Sequence, residues 1–143
     1  MSLRLDPYLV MEGNAKEAIQ FYEKALGAQL VFQQTFGEFP ENPEFALPDE
    51  AKGLIGHAML VIGEARLMLS DTFPGMPVQK GNNVTICIST SDADKSKQLY
   101  HALEDGGRVI MPLSETHFSP GYGQVTDKFG VTFHIFTDRP MNQ

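Results

Sequence analysis

Asn14-Ala15 and Asp92-Ala93 stand 78 positions apart, and so do Gln20-Phe-Tyr22 and Gln98-Leu-Tyr100. Further on, Leu30-Val31 meets Val109-Ile110, and the two halves close on similar endings, Leu69-Ser-Asp71 and Phe136-Thr-Asp138. Matches in the same order over three segments mark a duplicated unit. Such a duplication restricts the fold more tightly than composition can. Whatever one half becomes, the other must become too.

Each half reads as β-α-β-β-β. In the first, Tyr8–Met11 forms a strand with Pro7 at its start, where a missing amide costs least. Ala15, Ala18, Ile19, Tyr22, Ala25 and Leu26 recur at the spacing of one helical face. Asn14 is placed to cap that helix, Glu17 to complete a capping box and Gly27 to end it. A strand follows over 28–36. Gly37–Gly53, with Pro40, Pro43 and Pro48, is an excursion loop, too long and proline-rich for a hairpin turn. Leu54–Ile62 and Ala65–Ser70 form a hairpin about Gly63-Glu64.

The second half restarts with a strand over Val84–Ser89, placing Val84, Ile86 and Ile88 on one face and Thr85, Cys87 and Ser89 on the other. Ser91 or Asp92 caps a helix carrying Ala93, Ser96, Leu99, Tyr100 and Leu103, which ends at Gly106-Gly107. Arg108–Pro112 is a strand and Leu113–Pro120 a loop. The last hairpin turns on Asp127-Lys-Phe-Gly130, where Gly130 supplies a positive φ. Its second strand alternates Val131, Phe133 and Ile135 against Thr132, His134 and Phe136, one face apolar and the other mixed.

The expected fold is therefore α+β. Two paired βαβββ modules in one domain, 1–143, pool their strands into a curved mixed sheet with the helices on its outer face. Module 1 covers residues 1–72, the linker 73–82 and module 2 residues 83–138. One helix covers only one face of a four-stranded sheet, so the inner face stays open. It collects the mixed alternates Thr85, Cys87, Ser89, Thr132 and His134, with His57 and Met59 from the first hairpin. A concave surface lined this way suits a small molecule.

A net charge of −7 disfavours nucleic acid and anionic membrane as partners, since both require a basic footprint. The single cysteine, Cys87, rules out an intramolecular disulfide and fits a reducing compartment. The start of the chain does not read as a signal peptide, and no run approaches the roughly 20 apolar residues of a membrane span. These features point to the cytoplasm. The glycine pairs form no phosphate-binding fingerprint between a strand and a helix. Cys87 is read as a small core residue rather than a nucleophile.

Pro7-Tyr-Leu-Val, Gly13-Asn-Ala-Lys-Glu-Ala-Ile-Gln-Phe-Tyr22, Leu26-Gly-Ala28 and His57-Ala-Met carry a family likeness. Leu67-Met-Leu-Ser-Asp71, Gly123-Gln-Val-Thr-Asp127 and Phe129-Gly130 extend it over nearly the whole chain. The sequence resembles the glyoxalase / bleomycin-resistance / extradiol-dioxygenase superfamily, with its vicinal oxygen chelate fold, and within it the PhnB-like branch. It departs from that pattern at Lys128, where proline is more usual, and at Phe133, where tryptophan is common.

The resemblance implies a homodimer. It also implies a divalent ion held near Pro7, at Leu67 or Met68, at Thr85 and at His134. Of these only His134 is a competent ligand, so neither a metal nor another cofactor is expected. The expected function is small-molecule binding, with or without catalysis, lined by His57, Met59, Thr85, Tyr122, Gln124 and His134. Phe118 and Tyr122 are candidates for a lid. The alternative is a metal-dependent lyase, isomerase or dioxygenase with a non-standard site that includes His57 and His134.

Overall fold

Over residues 2–44 and 46–139, which the computed structural model describes, the duplicated sequence becomes a duplicated topology. Phe45 of the expected excursion loop, Met1 and residues 140–143 lie outside the described residues. The chain divides into two units, Met1–Gln79 and Lys80–Gln143. The first contains β1 (Tyr8–Met11), α1 (Ala15–Leu26), β2 (Gln29–Thr35), β3 (Ile55–Ile62) and β4 (Ala65–Asp71). The second contains β5 (Ile86–Thr90), α2 (Ala93–Glu104), β6 (Arg108–Ser114), β7 (Tyr122–Thr126) and β8 (Thr132–Thr137). The sheet orders are β1-β4-β3-β2 and β5-β8-β7-β6. In each, the first strand pairs parallel with the last, and the other pairs are antiparallel. This is the α+β architecture of two βαβββ modules. No helix among the described residues is long and apolar enough to cross a membrane.

The helical periodicity in α1 buries the side chains it selects: Ala15, Ala18, Ile19, Tyr22 and Leu26 are buried. Gly27 ends the helix at φ +67, a left-handed conformation that a side chain would strain. On the sheet, Ala58, Leu60, Leu67 and Leu69 are buried. The second unit repeats this with Leu99, Tyr100 and Leu103 of α2 and Val125, Phe133 and Ile135 of the sheet.

The start of α1 differs from the expected capping box. The Asn14 side chain makes no cap hydrogen bond and instead accepts from the Glu12 amide at 3.3 Å. The first amide of the helix, Ala15 N–H, donates to Asp71 Oδ1 at 2.9 Å, and Ile55 N–H donates to Oδ2 of the same carboxylate at 2.9 Å. Asp71 is buried at the end of β4, so a distant strand caps this helix. In α2 the expected local cap is present. Asp92 Oδ1 accepts from the amides of Asp94 and Lys95 at 2.9 and 3.3 Å.

The structure also corrects the register of the repeat at its end. Thr72 N–H donates to Met11 O, and Asp138 N–H donates to Thr90 O, both at 2.7 Å. Asp138 therefore corresponds to Thr72 and Thr137 to Asp71, one residue away from the match that the two aspartates suggest. Thr137 ties sheet to helix as Asp71 does, through hydroxyls. Its Oγ1 shares a 2.7 Å hydrogen bond with Ser96 Oγ of α2, which shares another with Thr90 Oγ1.

The excursion loop is anchored at its base. Phe36 and Gly37 amides donate to Leu54 O and Lys52 O. Phe36 meets Phe39 and Phe73 edge-on, each at 5.8 Å between ring centres. The Phe39 ring lies against Gly56, where an added Cβ would come within 2.5 Å of Cζ. Gly56 thus reserves the space that the loop's aromatic fills. The strand expected over Val84–Ser89 is shifted to Ile86–Thr90. Its partner β8 begins at Thr132 and pairs first with Ile86 through Phe133. In that register Val84 lies beyond the first residue of β8, and it is 82% exposed.

Candidate functional site

In the second unit, strand alternation turns Phe133, Ile135 and Thr137 inward and presents Thr132, His134 and Phe136 on the other face. Cross-strand register sets Gln124 and Cys87 beside His134, and Tyr122 and Ser89 beside Phe136. The Tyr122 hydroxyl shares a 2.5 Å hydrogen bond with His134 Nδ1 and accepts from Gln124 Nε2 at 3.1 Å. A hydroxyl that accepts from Gln124 can give its own proton to Nδ1, which leaves the imidazole proton on Nε2. Nε2 has no hydrogen-bond partner among the described residues. The chain Gln124–Tyr122–His134 is a prearranged polar row.

Aromatic rings border it. Phe118 packs edge-on against Tyr122 at 5.0 Å and stacks on Phe136 at 6.1 Å with 13° between planes. Phe118 also meets His117 edge-on at 5.1 Å and remains 44% exposed. Phe118 and Tyr122, expected as a lid, thus rest on the sheet face beside His134.

The first unit presents a second tyrosine–histidine pair. Tyr8 OH and His57 Nδ1 lie 3.2 Å apart, and the two rings stack at 5.7 Å. Phe32 tilts against the same imidazole at 5.7 Å. Met59 shares this face two residues along β3, beside Phe32 and Met68 in cross-strand register.

His57 and Met59 therefore lie together on one sheet face, and Tyr122, Gln124 and His134 lie together on another. Thr85 joins neither hydrogen-bonded set; it is exposed and precedes β5 rather than standing in a strand. Cys87 is not a core residue. It is exposed on edge strand β5, with its Sγ 3.9 Å from Ser89 Oγ.

Tyr8, Phe32 and Phe136 were not among the residues expected to line the site. The signal for Tyr8 was parity: Met11 is buried, so Leu9 shares its side and Tyr8 and Val10 take the other. In Phe32 the signal was masked by the register shift between Leu30 and Phe32, which breaks the alternation of β2.

In the corrected repeat register Met68 is the residue equivalent to His134, so Met68 is the position that corresponds to the last ligand. The implied ligand set then reads Pro7, Met68, Thr85 and His134, with one nitrogen donor. That set does not fit a divalent ion, which needs three or more N, O or thiolate donors. Among the described residues, no three of His, Cys, Asp and Glu come together as a metal-holding group.

Two βαβββ modules with open sheet faces define a class of protein, and comparison with known proteins gives the family. Residues 4–135 match the model of the Glyoxalase/Bleomycin resistance protein/Dioxygenase superfamily, and the chain belongs to it. Protein YjdN of Escherichia coli (strain K12) is 31% identical over 137 residues, covering 92% of each chain. The crystal structure of protein PA1353 from Pseudomonas aeruginosa superposes with a TM-score of 0.86 at 34% identity, covering 97% of this chain and 100% of that one. A PhnB protein from Bacillus cereus, described as a putative 3-demethylubiquinone-9 3-methyltransferase, shares the fold. Its TM-score is 0.75 at 21% identity, over 94% of this chain and 99% of that one.

Proposed function

We propose that this chain is a small-molecule-binding member of its superfamily that works without the family's standard metal site. The observation that supports the reading is the tyrosine–histidine pair on the open sheet face of each unit, bordered by aromatic rings. Phenol, imidazole and carboxamide groups offer both donors and acceptors, while Phe32, Phe118 and Phe136 offer flat apolar surface. The complementary ligand is a planar organic molecule with polar substituents. Binding takes place in the cytoplasm, in keeping with the single unpaired cysteine, and the protein is a homodimer. Exposed Val31 on edge strand β2, and Ile110 on edge strand β6, favour self-association. Light scattering at micromolar concentration should then return twice the chain mass.

The test is a thermal-shift screen with aromatic and thiol-conjugated compounds, because a ligand of the native state must raise its stability. At least one compound class should raise Tm, and His134→Ala should weaken its binding by about tenfold, or about 1.4 kcal/mol. A screen in which no ring compound stabilises the protein would remove the reading.

One observation favours a metal-dependent alternative. In both pairs the tyrosine engages Nδ1 and leaves Nε2 for ligation, as an outer-shell partner does at a metal histidine. Protein purified without a histidine tag decides between them. Stoichiometric Zn²⁺, Ni²⁺ or Fe²⁺ that raises Tm and is lost in His57→Ala and in His134→Ala would favour the metal-dependent reading over metal-free binding.

A further inference from the structure

Four arginines occur in the chain, and three have an ordinary surface setting. Arg4 is exposed and pairs with Asp6 at 2.9 Å, Arg139 is exposed and donates to Thr116 O at 3.0 Å, and Arg108 is exposed. Arg66 is different. It is half-buried on β4, on the face opposite Leu67 and Leu69, and its Nη1 donates to Met59 Sδ at 3.6 Å. Among the described residues it has no carboxylate or carbonyl partner.

A guanidinium is charged at every physiological pH and carries five N–H donors. A thioether is a weak acceptor and occupies only one of them. Removing such a cation partly from water without a counter-charge is unfavourable, and a planar oxyanion that takes two parallel N–H donors offsets that cost.

The surroundings define what accompanies the oxyanion. Arg66 stands opposite Val61 on β3 and reaches back to the level of Met59. Met59 lies between Phe32 and Met68, and Met68 lies beside Tyr8. His57, held by Tyr8 and Phe32, is two residues further along β3, a separation of about 7 Å in a strand. One aromatic ring with an acid group spans that distance.

We propose that Arg66 recognises the oxyanion of the ligand, so that the ligand class is a small aromatic acid, a carboxylate or a phosphonate. Its ring lies against Tyr8, Phe32 and His57. This rests on the reading above that the open faces bind planar molecules. At a net charge of −7 the protein's overall field repels anions, so a local cation on the ligand-facing side is what admits one.

The inference is tested by calorimetric titration of the whole chain at low salt with benzoate, phenylphosphonate, the uncharged benzamide and inorganic phosphate. Wild type should bind one of the acids about tenfold more tightly than benzamide. Arg66→Met should bind acid and amide alike at the benzamide level, and Arg66→Lys, which keeps charge but not the fork, should fall between. Arg108→Met serves as a control for the other basic locus, a groove of about 660 Å³ in the second unit lined in part by Lys80, Arg108 and Lys128.

Equal binding of acid and amide by wild type would overturn the assignment to Arg66 while leaving the planar-ligand reading intact. An acid preference that survives Arg66→Met or disappears in Arg108→Met would overturn it in the same way. Phosphate binding that depends on Arg66, with no ring compound bound, would keep the anion site and remove the planar-ligand reading. Binding of none of the four removes both. Arg66→Met must show the wild-type urea midpoint; if it does not, Arg66→Lys carries the comparison.

Discussion

Asp71→Ala is expected to lower stability by about 3 to 5 kcal/mol, measured as a fall in the urea midpoint at unchanged slope. The size follows from what the carboxylate holds. It is 2% exposed and accepts from two backbone amides, Ala15 at the start of α1 and Ile55 at the start of β3. Each is a hydrogen bond to a charged acceptor, worth about 1.5 to 3 kcal/mol, and alanine leaves two buried N–H groups without partners. Asp71→Asn keeps one oxygen but turns an N–H donor toward the other amide, so it should cost about half as much.

Asn14→Ala supplies the contrast. Asn14 stands at the cap position but accepts only from the Glu12 amide at 3.3 Å, near solvent. Its replacement should cost under about 1 kcal/mol. Comparable losses in Asn14→Ala and Asp71→Ala would show that the helix start is set locally after all.

Asp71 also shows where sequence reasoning reaches its limit. The α1 boundaries were legible because periodic burial and a terminal glycine both act within a few residues. The carboxylate that satisfies the first helical amide lies 56 residues away, and no local pattern announces it. The same limit explains the misplaced repeat ending. Two aspartates look equivalent in sequence, yet the pairing of Met11 with Asp71 and of Thr90 with Thr137 makes Thr137 the equivalent of Asp71, and different chemistry does the same job at that position.

Histidine parity on β3 and β8 placed His57 and His134 on open faces, and short-range alternation was enough for that. Their tyrosine partners were less legible because the pairings cross strands. Tyr8 reaches His57 from β1, across β4, and no spacing in the chain encodes that approach. Thr85 stands one residue ahead of the first paired position, Ile86 with Phe133, where alternation alone does not show that the strand has yet to begin. Nothing in the sequence singles out Arg66, since the absence of a counter-ion appears only once its neighbours are known.

Gly107→Ala should be the most damaging of the glycine substitutions, costing about 3 kcal/mol or more. A Cβ there would lie 2.1 Å from Thr126 O, 2.9 Å from Asp127 Cα and 3.0 Å from Asp127 C. All three are backbone atoms, so no side-chain rotation relieves the contact. Nor can that backbone yield easily. Asp127 Oδ1 accepts from the amides of Phe129 and Val131, and Asp127 N–H donates to Val131 O, which braces the turn from within. The strain must pass instead into the β6–β7 ladder, whose first pair is Arg108 with Thr126.

Gly27→Ala is the comparison: φ is +67 but no atom lies within 4 Å of the added Cβ, so only backbone strain of about 1 kcal/mol applies. Hydrogen exchange separates the two mechanisms. Gly107→Ala should speed exchange along β6 and β7, where Tyr122 and Gln124 orient His134, and should weaken ligand binding with it. Gly27→Ala should loosen only the end of α1. Equal midpoints for the two variants would mean that the turn at Asp127 gives way freely, and that β7 is not the rigid support on which the tyrosine–histidine pair depends.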